Sequence, residues 1–206
     1  NIKEIKYLLP RFSVLIKIKK EFNIKKIKSD QCILVDGSWD NPNFWLRLSI
    51  FLKGYGYNDF YKIGLTNKFN RYLGFCTFKM LSFNEVLFWP ALHKRYDNNK
   101  IFADKLLKKI SYDPKKLLNE KLPYDHPIID YYDCLLKIQR VTTPNLISRD
   151  AVDILADLLD DLDMFNNLLS KKRPKLIILS HSSSQAVNYG TIVTIAKILK
   201  IPMVRI

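Results

Sequence analysis

Cysteine is scarce in this chain of 206 residues: Cys32, Cys76 and Cys134, an odd number and widely spaced. That suits a reducing cytoplasm and offers no metal-ligand spacing. Long apolar runs are missing too; none approaches the ~18 residues that read as a transmembrane helix. Lysines recur throughout the amino-terminal segment, so no secretory signal peptide is expected. Repeats and low-complexity tracts are absent. No Asp-x-Asp stands in a loop suited to a metal, so no metal is expected. A glycine-rich phosphate loop is also lacking: residues 180–190 contain one glycine, Gly190.

What is present is a hydrophobic share of 48%, sufficient for a core, and a net charge of +14. Residues 1–28 hold nine basic residues against Glu4 and Glu21, a net of +7, half of the total. The segment reads as helical with a break at Pro10, although Phe12, Val14, Ile16 and Ile18 alternate as in a strand. Its basic residues interleave with Ile, Leu and Phe. Three readings stay open: a solvated helix, a contact with an anionic membrane surface, or a contact with nucleic acid. No recognised nucleic-acid motif accompanies the charge, so nucleic acid is not an expected partner. The expected organisation is this segment followed by one α/β domain over residues 29–206.

Residues 175–206 organise the reading of that domain. The apolar run 175–179, opened by Arg173-Pro174, predicts a buried strand. Small polar residues follow through 180–188. A helix is expected over 189–199, with Ile192, Ile195, Ala196 and Leu199 on one face. Pro202 stops it, and residues 203–206 predict a further strand. Strand, polar loop, helix, strand is the unit of a parallel sheet, whose ligands bind beyond the carboxyl ends of the strands. Hence His181, Ser182, Ser183, Tyr189 and Gly190 are candidate ligand contacts. The helix start favours an anion, and Gly190 allows close backbone approach. An imidazole there suits proton transfer near neutral pH. The alternatives are serines that merely cap a helix and a His181 that ties down its own loop.

The same logic applies to residues 32–35, a predicted strand running into the loop signal Asp36-Gly37-Ser38-Trp39-Asp40-Asn41-Pro42. Asp36 at the strand's carboxyl end is a candidate catalytic group, with Gly37, Asp40 and Asn43 as substrate contacts. A turn, or an Asn41 helix cap before Pro42, is the other reading. Further strands are expected at 60–65 and 76–80, and helices at 43–53, 66–73, 101–110, 127–139 and 149–170, with a polar connector over 115–124. The aromatics of 43–53 are expected in the core. Asp153, Asp157, Asp160, Asp161 and Asp163 of the long helix are expected on a solvated face. The expected fold class is therefore α/β, Rossmann-like, with a mainly parallel sheet flanked by helices.

Three segments together carry a resemblance: ILVDGSWDNPNFWLR at 33–47, LPYDHPIIDYYDCLLK at 122–137, and KLIILSHSSSQAVNYGTIVTIAKILKIPMVRI at 175–206. They resemble bacterial capsular and surface polysaccharide biosynthesis proteins, which look like glycosyltransferases of the two-Rossmann-domain (GT-B-like) type. Lys200 departs from that pattern, which usually has glycine before the Ile-Pro pair, and an aromatic is missing after His181. The resemblance implies transfer of a sugar from a nucleotide-sugar to a surface glycan acceptor. No other cofactor is expected. The chain would be the acceptor-side, amino-terminal part of a longer protein, cytoplasmic and peripheral at the inner face of the membrane. Asp36, Asp130 and His181 are then the base candidates. Two other classes stay open: a non-catalytic basic binding module, and a transferase of phosphate or sulfate on a similar sheet.

Overall fold

The computed structural model describes residues 31–37, 48, 51–52, 56–63, 85–88, 96–179 and 186–205. The chain is α/β and divides into two compact units. One comprises residues 1–91, 174–180 and 204–206, the other residues 92–173 and 181–203.

The first unit holds an open sheet. Its strands are β1 (Gln31–Gly37), β2 (Tyr57–Ile63), β3 (Glu85–Phe88), β4 (Leu176–Leu179) and β5 (Met203–Arg205), in the order β3-β2-β1-β4-β5. β1 pairs in parallel with both β2 and β4, and β2 in parallel with β3. Adjacent residues Ile33 and Leu34 are both buried, as are Ile177, Ile178 and Leu179. Successive strand side chains point to opposite faces, so β1 and β4 are covered on both. This explains why their sequences are continuous apolar runs. The Lys175 amide extends the β1–β4 ladder by donating to the Cys32 carbonyl at 2.6 Å.

Two strands differ from expectation. β2 starts at Tyr57, three residues before the predicted strand, because Gly56 turns the chain with φ at +83°, where a side chain would be strained. β3 lies within 75–88, a stretch read as irregular; the predicted strand at 76–80 lies outside the described residues. Phe51, expected in the core, is helical but 60% exposed.

The second unit is helical: α1 (Asp97–Lys109), α2 (Pro114–Leu117), a 3-10 turn (Pro123–Asp125), α3 (Ile128–Gln139), α4 (Arg149–Lys172) and α5 (Ala186–Ile198). The short α2 overlaps the start of the stretch read as a connector, 115–124. Asp113 caps it, accepting from the Lys115 amide, and Pro114 takes its first position. α4 begins where the Ser148 hydroxyl accepts from the Ala151 amide at 3.3 Å. Contacts to α1, α3 and α5 surround α4. Leu155, Leu158, Leu162 and Phe165 are buried, and so are Asp160 and Asp161. The expected solvated aspartate face is therefore corrected: with neighbours on several sides, a single apolar stripe cannot satisfy every contact, and polar positions are buried with it. Asp157 does remain exposed.

Candidate functional site

In the second unit Tyr124, His126 and Asp130 meet polar partners where the 3-10 turn leads into α3. Tyr124 and Asp125 both adopt the left-handed region, with φ of 62° and 51°. For residues with a Cβ that conformation costs about 1–2 kcal/mol each, so the surroundings must hold it. Part of the hold is visible. The Tyr124 hydroxyl donates to Asp163 Oδ1 at 2.8 Å, and Asn99 Nδ2 donates to Asp163 Oδ2 at 2.9 Å. Asn99 also donates to Asp160 Oδ1, which accepts from the Tyr96 amide at the start of α1. Burial, then the hydrogen bond to Asp163, pushes the Tyr124 phenol up to about 12.

The strained turn delivers His126 into the interior, with its side chain fully buried. Its Nδ1 lies 2.9 Å from Thr194 Oγ1 on α5. Its Nε2 lies 3.5 Å from Asp130 Oδ2, one helical turn further on, and has no hydrogen-bond partner among the described residues. Burial pushes the imidazole below its ordinary value, against the opposing pull of the Asp130 carboxylate. Unlike the histidine, the Asp130 side chain is 31% exposed.

Gly190 completes the group. A Cβ built there would land on Asp130 Oδ2, and would stand 3.1 Å from Asp130 Cγ and 3.2 Å from His126 Cε1. The carboxylate thus occupies space that any side chain at 190 would need. Chemically, the arrangement is a half-exposed carboxylate backed by a buried, neutral imidazole. Such a carboxylate can accept and return a proton while the ring behind it stays dry.

Of the residues singled out in the sequence, the structure brings Asp130 and Gly190 together. Asp36 and Gly37 lie within β1 at its carboxyl end; Asp36 is in register with Lys62 of β2 and Leu179 of β4. Tyr189 falls in α5. Asp40, Asn43, His181, Ser182 and Ser183 lie outside the described residues. His126 and Thr194 were missed. The available signal was spacing: His126 precedes Asp130 by four residues across a helix start, and Thr194 follows Gly190 by four. Among the described residues, no group of three or more His, Cys, Asp or Glu could hold a metal ion.

No family model matches the chain, and no curated protein matches it. Among solved structures it is similar to a CDPS (cyclodipeptide synthase) from Fluoribacter dumoffii, at 10% identity and a TM-score of 0.40, over 86% of this chain and 88% of that one. A likeness that loose carries no argument about activity. These comparisons correct the resemblance drawn from sequence. They return no capsule or glycosyltransferase family, and the solved structure named above is of another kind. The nucleotide-sugar donor and glycan acceptor fall with it. The physical reason lies in the three segments. Each is an apolar strand or helix start joined to a polar turn, which any parallel α/β sheet contains.

Proposed function

We propose that the chain is an enzyme whose helical unit carries an acid–base site, with Asp130 as the group that takes or delivers a proton on a small polar substrate. The observation that carries this reading is the space made for the Asp130 carboxylate at Gly190, in front of buried His126. A carboxylate that served only solubility would need no such room. The test is a thermal-shift screen of nucleosides, amino acids and small organic acids, followed by turnover assays on those that bind. D130N should turn over a wild-type substrate at least ~100-fold more slowly, the range of a lost acid–base group. Equal turnover removes Asp130 from the reaction.

The sheet is read as Rossmann-like. The order β3-β2-β1-β4-β5 supports this, because successive connections run outward in opposite directions from β1, and ligands favour the crevice at such a switch point. Asp36 and Gly37 end β1 at that edge and are proposed as ligand contacts of the sheet unit. D36N should weaken binding of a compound from the same screen; unchanged affinity for every compound would remove Asp36.

No described helix is long and apolar enough to cross a membrane. A cytoplasmic chain lying peripherally on the membrane's inner face is the proposed location, supported by the net +7 of residues 1–28. Deleting 1–28 should lower binding to phosphatidylserine vesicles, with a smaller difference at high salt. Equal binding at low salt would discard that location.

A further inference from the structure

Thr194, His126 and Asp130 stand in line, on α5, ahead of α3 and on α3. We infer that they form a relay: the Thr194 hydroxyl donates to His126 Nδ1, the ring carries its proton on Nε2, and that N–H holds the Asp130 carboxylate in its working position. His126 is then a positioning residue, and the inference rests on the acid–base reading of Asp130.

The buried ring of His126 has two neutral tautomers. A neutral imidazole has one donor and one acceptor nitrogen, and the bond made by one decides the state of the other. Thr194 Oγ1, at 2.9 Å, can serve Nδ1 as donor or as acceptor. If it accepts, the Nε2 lone pair faces the Asp130 carboxylate oxygen at 3.5 Å with no water-accessible surface around the nitrogen. Two electron-rich atoms would then oppose each other, with the nitrogen shielded from solvent. If Thr194 donates, Nε2–H points toward the carboxylate and the same separation becomes attractive. The second arrangement leaves no repulsion.

The distance itself fits a resting relay. At 3.5 Å the contact is roughly half an ångström longer than a formed N–H···O bond. Hydrogen bonds of this kind are often long in a free enzyme and tighten when substrate is bound. Gly190 bounds the movement from the other side, since its bare Cα is what lets Oδ2 sit there. The strained pair Tyr124-Asp125 sets the ring from the chain side, and Thr194 from α5. The carboxylate thus sits between Gly190 and the ring.

Long-range proton–nitrogen NMR on the 15N-labelled wild type at pH 7.5 reads the tautomer directly and needs no variant. The expected result is an Nε2-protonated His126 with a bare Nδ1. In D130N the Nε2–H proton should move upfield, because the charged acceptor is gone. In T194V, which keeps shape and loses the hydroxyl, the carboxylate should still hold the proton on Nε2, while the bare Nδ1 resonance should move downfield as it loses its donor. A dominant Nδ1–H tautomer in the wild type, or an Nε2–H signal unmoved in D130N, overturns the relay. These outcomes are distinct from failure of the acid–base reading. A D130N enzyme with full turnover sinks that reading whichever nitrogen carries the proton.

Discussion

Gly190 has neighbours where its side chain would be, and this makes it sensitive to substitution. In G190A the new methyl must displace the Asp130 carboxylate and press on the His126 ring. Overpacking of this kind costs about 1–3 kcal/mol. The displaced atom can be removed separately: if the collision with Asp130 is the cause, D130A should recover much of the loss, so the double variant unfolds at a higher urea concentration than additivity predicts. Additive losses would place the strain elsewhere. His126 supplies a second prediction. Its folded value is depressed by burial, so in the unfolded chain it takes up a proton near its ordinary 6.5 while the folded chain does not. The neutral ring's contribution is therefore fully present above that pH. It is lost as pH falls below it, by up to ~1.4 kcal/mol per pH unit, until the folded ring also titrates. Urea midpoints of the wild type and H126Q should diverge between pH 7.5 and pH 5.5, with the wild type falling faster. Parallel curves would mean the ring is hydrated. Asp130 was legible in the sequence because an aspartate in the first turn of a helix is a pattern. His126 was not, since nothing along the chain says that a left-handed pair will turn it inward.

At the scale of elements, two helices of this unit end on an arginine in the left-handed conformation: Arg140 after α3, with φ 54°, and Arg173 after α4, with φ 41°. Glycine is the usual residue there because it has no Cβ to strain. R140G should accordingly raise stability by about 1 kcal/mol, read as a higher denaturation midpoint. A decrease would show that the Arg140 side chain contributes more than its backbone costs. The elements legible in advance were those set by one strong signal: β1 and β4 by apolar runs, α3 by Pro127, α4 by its apolar stripe. Those that were not had competing signals. α2 carried a cap and a proline but is only four residues long, and its lysines read as a connector. Asp160 and Asp161 carry charges that say surface, yet α4 is surrounded by other helices. Burial of Asp160 is compensated by donors from the start of α1, residues more than sixty positions away, which no local window contains.

At the scale of the whole chain, the sheet order puts β1 between a partner that follows within two dozen residues and one that follows only after α1 to α4. Ile33 pairs with Tyr57's strand early, but its other neighbour is Leu176, about 140 residues on, and closing a span of that length is a slow step in folding. During synthesis, β1 therefore emerges with one edge of its backbone amides and carbonyls unclaimed until the ribosome has released β4. An apolar strand with an open edge is a template for other chains. Truncation ahead of Leu176 should leave an aggregating fragment, soluble again when a peptide covering residues 174–206 is supplied during refolding. A fragment that stays monomeric without the peptide would mean that β1 forms only after β4 arrives. In either case residues 174–206 decide whether β1 is safe, so the order of synthesis and the order of strands are at odds in this molecule.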